Sequence, residues 1–584
     1  MKLGIDKQEI TFFDNNIILF GNGSMNQYTN SIYLPLYVRT FYISNKSKCI
    51  YYIILDLSFI TNTFRSALLL ELVKLKDCNC STNNIILTCI HTHTSPGGYF
   101  DNIIYDISSG GFRQDYQLFL INKIKESCQN SYKNSFEGNL YFVKSKLQNL
   151  IGISAIKNII FNRSLIAFNN NPDELKNCFP LAVNDDINLL IFKDSNNKFV
   201  GLIQFMSLHG TCLGTNNFIS GDIRGLLSNM FEKEYSIICG QPQETHGDCS
   251  PNVNRYPDSE ISDIPIMINK AKTIFNGIKS LLDNNNDHEE CKLNDVIYNN
   301  FIYNTNASIG ISVLAGSNAD HTFIEPFKEN INMNTLKMLN YCGLCKYKKD
   351  EKISIFSSNK NFVDELVNIH HIEFDKVTII CVPFEVTTCA GQYLKNNYTK
   401  TKNKNIILNS LSNGYLHYVT TEHEYITQQY EGSVTLYGQN QLEILSNEIN
   451  NTNIIKDYTY NDIKYRGYKY IIVHIILKFI NFINSIIRYF EILFMKFKYY
   501  LVQTKKVEYI KNIKTINIKK IITHNNYHYK IYNNKNNEII SSYYDDNSLI
   551  KIIKNKNYNL VIIQLFDFND IYNIENIDVK FDDI

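Results

Sequence analysis

Short, nearly uninterrupted apolar runs punctuate the first three quarters of the chain: CIYYIILDLSFI, NIILTCI, FVGLIQFMSL, YSIICG and KVTIICV. They are β-branched and bounded by polar segments, the pattern of strands buried on both faces of a layered domain. Between them, ALLLELVKL and LFLINKIKES carry their apolar residues at helical spacing. Strand and helix in alternation predict an α/β domain with mixed sheets, spanning 1–445. Several runs end in loops that bear Gly or His, and in open α/β sheets ligand sites gather beyond the carboxyl ends of the strands.

The pattern then changes. Residues 446–509 begin with a polar, Asn-rich linker and continue into the apolar stretch Tyr470 to Phe494. There His474, Lys478, Asn481, Ser485 and Arg488 draw one narrow polar stripe down a helix. Those charges disfavour a membrane span. The helix fits packing on a core, or lying in a membrane surface. Residues 510–584 hold short runs such as TINIKKIIT, YHYKIYN, LIKIIK and NLVIIQLF between Asn- and Asp-rich turns, which predicts a small β-sandwich.

Composition narrows the function. With 58 Lys+Arg against 57 Asp+Glu the net charge is +1, so no large field points toward nucleic acid, and a phosphate-backbone binder is not expected. The Asn, Ile and Lys tracts read as translation from an AT-rich genome. Only eight arginines survive in that background, so each needs a reason, Arg163 among them. The 14 cysteines lack the even spacing of a disulfide scaffold and read mostly as small buried hydrophobes. Cys342 and Cys345 form a single CxxC and Cys78 and Cys80 a CxC, with no second pair at a zinc-ribbon spacing. The opening MKLGIDKQEITFF lacks the order of a signal peptide, so the chain itself does not support secretion.

Candidate chemistry begins at IHTHTSPGGY. His91 and His93 alternate after a strand, which would put both imidazoles on one side of the chain, and Pro96 to Gly98 follow as a tight turn with exposed N–H groups. Taken alone the pair is a weak metal signal and fits ordinary surface or core histidines as well. His209 closes the run GLIQFMSLHG, and Glu385 follows VTIICVPF. Each has a plain alternative: a hydrogen-bonded core histidine, and a carboxylate at a helix start. Together they are the His, His and Glu donors that a catalytic zinc accepts while keeping a position for water.

Six motifs occur in the order of the neutral ceramidase family, from about Leu3 to Gly438. IHTHTSPGGY resembles that family's histidine-pair motif, FNRS its arginine motif and SLHGT its second histidine motif. HGDCSPN resembles its serine motif, PFEVTT its glutamate motif and YLHYVTTEHEYITQQYEGSVTLYG its tyrosine motif. The resemblance implies zinc-dependent hydrolysis of the N-acyl amide of ceramide, to sphingosine and a fatty acid, by an activated water. It implies one Zn2+ per chain, with His91, His209, Glu385 and Tyr418 as ligands. It implies further that His93 moves protons, that Arg163 and Tyr430 flank the scissile amide, and that Ser250 stands close to the activated water. Ser250 does not sit in a GxSxG nucleophile elbow.

Ceramide is nearly insoluble in water, so a membrane surface is an expected partner, and Tyr470 to Phe494 is the candidate contact. The resemblance suggests an extracellular, luminal or membrane-surface location and an immunoglobulin-like form for the C-terminal β-sandwich. Phe384 stands where the family usually has Gly, Tyr33 where it has His near the entrance, and Thr94-Ser95-Pro96 replaces Ser-Gly-Pro. Phe384 and Tyr33 motivate an alternative, a zinc amidase for another N-acyl lipid. A non-catalytic lipid-binding relative is opposed by the intact His91, His209, Glu385, Tyr418 and Ser250.

Overall fold

The computed structural model describes residues 1–451, apart from short internal stretches of which 253–262, 318–351 and 359–364 are the longest, and six strands between 515 and 581. The Tyr470 to Phe494 stretch and the Cys342–Cys345 pair lie outside the described residues. Two compact units form, one from the residues up to 451 apart from Ser31–Tyr33, the other containing the C-terminal strands.

The larger unit is built on two sheets. Eight strands run in the order Ile238–Gly240, Phe199–Phe205, Asp186–Asp194, Phe136–Lys146, Lys2–Glu9, Tyr37–Ser44, Cys49–Leu55 and Ile85–Cys89, with Glu289–Cys291 added against Phe136–Lys146. Pairing is antiparallel except between the outermost two strands at each end, which are parallel. The second sheet runs Leu293–Ile302, Leu366–Phe374, Thr378–Cys381 and Ile406–Asn409, again with one parallel pair at an edge. The apolar runs of the sequence are therefore strands, but in a sheet joined mostly by antiparallel pairs.

Burial on both faces has a direct cause, because strand side chains alternate. Phe41, Ile43, Tyr52 and Ile54 of the first sheet share one core with Ile372, Ile379, Cys381 and Ile407 of the second. The opposite parity faces helices. Thr40 accepts a hydrogen bond from Ser127 of the helix Gln114–Lys133 at 2.8 Å. Val367, Ile369, Ile380, Val382 and Leu408 pack with Leu394, Leu442, Leu445 and Ile449 of the helices Thr388–Asn396 and Gln441–Asn450. A helical layer thus covers the outside of each sheet. Phe384 belongs to that second core and is fully buried, so its bulk is absorbed by packing between strand and helix. Cys78 and Cys80 are buried free thiols, in keeping with small core residues.

Beyond 515 the described residues are β-strands. Glu538–Ser542, His528–Asn533, Thr515–His524 and Asp578–Phe581 form one sheet, and Ile550–Asn555 pairs with Tyr558–Ile563 in another.

Candidate metal centre and active site

Three strand ends deliver the site. His91 follows Ile85–Cys89, His209 follows Phe199–Phe205, and Glu385 follows Thr378–Cys381, so both sheets contribute. His91 does not continue the strand: its φ of +64° lies in the left-handed region, which reverses the chain at the sheet edge. The next residues run beside the SLHGT loop, with the His93 amide donating to the Gly210 carbonyl at 3.0 Å. Only Gly fits there, because a Cβ at Gly210 would lie 2.2 Å from the His91 carbonyl oxygen. The HxH pair converges as expected, with 3.2 Å between the two Nε2 atoms, but through this reversal and not through strand alternation.

Each imidazole is oriented by the same device. Nδ1 of His91 lies 2.9 Å from the Ser58 carbonyl, Nδ1 of His209 lies 3.0 Å from the His246 carbonyl, and Nδ1 of His246 lies 3.2 Å from the Glu244 carbonyl. A carbonyl only accepts, so in each ring the proton sits on Nδ1 and Nε2 presents a bare lone pair. The three Nε2 atoms and Glu385 Oε2 all lie within 4.8 Å of one another, fully inside the protein. Nε2 of His91 and His209 are 3.1 Å apart and each 3.2 Å from Oε2, while that of His246 is 3.6 Å from it. Bonds of about 2.0–2.1 Å to a tetrahedral zinc imply ligand separations of about 3.3 Å.

Such a cluster calls for a cation. Glu385 Oε1 accepts a 2.6 Å hydrogen bond from the Tyr415 hydroxyl, but Oε2 and His246 Nε2 have no hydrogen-bond partner among the described residues. Leaving a buried acceptor unsatisfied costs about 1–3 kcal/mol. Protonation does not relieve it at neutral pH. Burial, with Arg163 nearby, lowers His209 to about 4, and burial with His209 and His91 alongside holds His246 well below its ordinary value. A metal ion could be held by these four groups, and three His with one Glu is a donor set that fits zinc.

Beside this centre lies Arg163, buried and oriented from three sides. Its Nε donates to Glu431 at 2.8 Å, and Nη2 donates to the Gly247 carbonyl at 2.9 Å and to the Tyr418 hydroxyl at 2.8 Å. Tyr418 is brought there by a two-residue parallel pairing, Glu385 with Tyr418 and Val386 with Val419. The Tyr430 ring stands 5.7 Å from the Tyr418 ring, and the Arg163 guanidinium lies 5.4 Å over it. His93 is buried, which with His91 and His209 close by keeps its ring neutral. Ser250 pairs with Phe161 in a short antiparallel bridge, next to Cys249 whose carbonyl accepts the His209 amide. Its Oγ accepts from the Asn252 amide at 3.1 Å and, among the described residues, bonds no histidine, so no serine–histidine nucleophile is assembled there.

Every candidate ligand and catalytic residue of the sequence therefore falls in one neighbourhood. Missed were His246, Tyr415 and Glu431, although all three stand inside the motifs HGDCSPN and YLHYVTTEHEYITQQYEGSVTLYG. Their signal was position within a motif; what each contributes needed coordinates.

Similarity to known proteins converges on the same reading. The pattern of the family described as "Neutral/alkaline non-lysosomal ceramidase, N-terminal" matches residues 1–273 and 287–447. The chain is 25% identical over 479 residues to the neutral ceramidase of Mycobacterium tuberculosis, covering 73% of this chain and 72% of that one. It is 24% identical over 478 residues to the neutral ceramidase of Pseudomonas aeruginosa, covering 75% and 69%. Among solved structures, "Ceramidase complexed with C2" superposes with a TM-score of 0.67 at 21% identity, over 78% of this chain and 76% of that chain. The neutral ceramidase crystal structure from Pseudomonas aeruginosa gives 0.65 at 21% identity, over 77% and 73%. With about three quarters of its length matched by that one pattern, the chain belongs to the neutral/alkaline non-lysosomal ceramidase family.

Proposed function

We propose that the protein hydrolyses the N-acyl amide bond of ceramide, releasing sphingosine and a free fatty acid, with one zinc ion per chain. The observation that carries this reading is the convergence of the His91, His209 and Glu385 donor atoms beside the buried Arg163. An amide is a poor electrophile and water a poor nucleophile; zinc, when bound, polarises a carbonyl and lowers the pKa of water to about 7.

The chain's own groups supply the rest. Arg163 and the Tyr430 hydroxyl oppose charge growing on the amide oxygen, each donor typically worth on the order of 3 kcal/mol. Held by Glu431 and the Gly247 carbonyl, the guanidinium needs no reorganisation as that charge appears. Neutral His93 accepts a proton and passes it to the leaving nitrogen, which departs badly as an anion. Ser250, next to the Cys249 carbonyl that holds the His209 amide, acts as a polar neighbour of the activated water and not as the nucleophile. Tyr418 is the fourth ligand implied by the resemblance.

Ceramide is nearly insoluble, so the enzyme would meet it at a membrane surface. We read the strands beyond 515 as a small immunoglobulin-like β-sandwich, with boundaries at 445 and 510. Phe384 faces the second core, so it gives no reason to expect a different acyl substrate. The test is fatty-acid release from a fluorescent ceramide by purified protein, with and without a chelator, alongside His209→Ala. Turnover that survives complete metal removal or His209→Ala sinks the proposal.

A further inference from the structure

The ligand set implied by the resemblance leaves one residue unexplained. His246 is fully buried, its Nε2 has no hydrogen-bond partner among the described residues, and that atom points at Glu385 Oε2 from 3.6 Å. A core histidine kept for packing would use its second nitrogen, or be replaced by an apolar residue of similar size. Here the ring is instead presented as His91 and His209 are, with Nδ1–H spent on a backbone carbonyl and the Nε2 lone pair turned inward.

Its backbone is fixed as firmly as its ring. The His246 carbonyl accepts both the His209 ring N–H at 3.0 Å and the Cys249 amide at 3.0 Å. Gly247, next in sequence, donates to the Val386 carbonyl at 2.9 Å, and a Cβ there would crowd the Glu385 and Val386 carbonyl oxygens at 3.1 Å. The loop is thus pressed against the segment that carries Glu385. His246 orients one histidine through its main chain and aims its own side chain at the same point.

We propose that His246 is itself a ligand of the metal in this site, adding a third imidazole to the donors of His91, His209 and Glu385. The inference rests on the metal-dependent reading above for the presence of the ion, but on this chain's geometry for the ligand. HGDCSPN thereby serves twice, because the loop that carries Ser250 also brings a donor to the metal.

The test reads the metal directly and needs no substrate. Apo protein, its His246→Ala variant and its His246→Gln variant would be titrated with Zn2+ under chelator competition, and with Co2+ followed by its visible absorption. Loss of an outer-shell partner typically costs about 10–100-fold in affinity. Loss of a ligand is expected to weaken zinc binding more than about 100-fold and to change the position and intensity of the cobalt bands. Circular dichroism of the apo forms identifies a variant that has not folded, and the other variant then decides. An unchanged cobalt spectrum in a folded variant overturns the assignment, whatever the affinity does. A wild type that binds neither ion overturns it as well. If His246 proves to be a ligand in a protein that leaves ceramide intact, the substrate proposal fails and the assignment stands.

Discussion

At the scale of single residues, scarcity turned out to be informative. Of the five arginines in described parts of the chain, Arg39, Arg65, Arg163 and Arg224 are buried, so those that persist in a Lys-rich composition sit where a planar multi-donor group is needed. Arg39 donates to both Asp56 oxygens at 2.9 and 2.8 Å and to Glu232 at 2.7 Å, which gives it a structural reason. In the proposed reaction Arg163 has a chemical one. Replacing it with Lys keeps the charge but loses the fork that reaches Glu431, Gly247 and Tyr418 together. We expect Arg163→Lys to lower kcat on ceramide by about 10²–10³, with zinc content per chain unchanged, measured by steady-state kinetics and metal analysis on the same preparation. A variant with full turnover would remove Arg163 from the reaction.

At the scale of elements, the strand ends were legible and the turns between them were not. Apolar runs located Ile85–Cys89, Phe199–Phe205 and Thr378–Cys381, because alternation onto two buried faces leaves a continuous hydrophobic signature. The left-handed His91 and the two-residue pairing of Glu385 with Tyr418 left no such trace, since they arise from contacts between distant segments. Gly210 is the residue that permits one of them. Gly210→Ala should destabilise the fold by about 1–3 kcal/mol in urea unfolding and weaken metal binding, because the added carbon displaces the His91 main chain. Equal stability in the variant would mean that the loop yields without cost.

The helix Glu422–Thr427 carries a second expectation. Its capping box places Glu424 against Thr421, and that buried carboxylate also accepts from Thr387 and Asn171. Burial, with Asp248 alongside, pushes its carboxyl from an ordinary 4.5 up to about 8. The folded state therefore binds this proton more tightly than the unfolded chain. The stabilisation is complete below pH 4.5 and is lost as pH rises toward 8. Glu424→Gln keeps an acceptor for the cap without the charge. Thermal melts between pH 5 and 8 should show a smaller decline in the variant than in the wild type. Parallel declines would place the pH sensitivity elsewhere.

At the scale of the whole molecule, residue patterns indicated an α/β domain with mixed sheets, and family resemblance indicated the chemistry. Neither revealed that two sheets face each other with a helical layer outside each. That arrangement depends on which parity of each strand meets which partner, a question of tertiary packing. Because His91 and His209 extend from one sheet and Glu385 from the other, a bound ion ties both together. Metal present at about a thousand times its Kd should add about 4 kcal/mol to the unfolding free energy. Calorimetry of apo and reconstituted protein would register this as a rise in Tm, and coincident melts would rule out tight binding to the folded state.

The same placement sets an order in time. His91 and His209 are 118 residues apart, and Glu385 arrives only when the second sheet has docked on the first. The four donors of the cluster therefore come together only in the folded unit. Metal loading is thus tied to the meeting of the two sheets, and an ion held there would favour the docked arrangement over the open one.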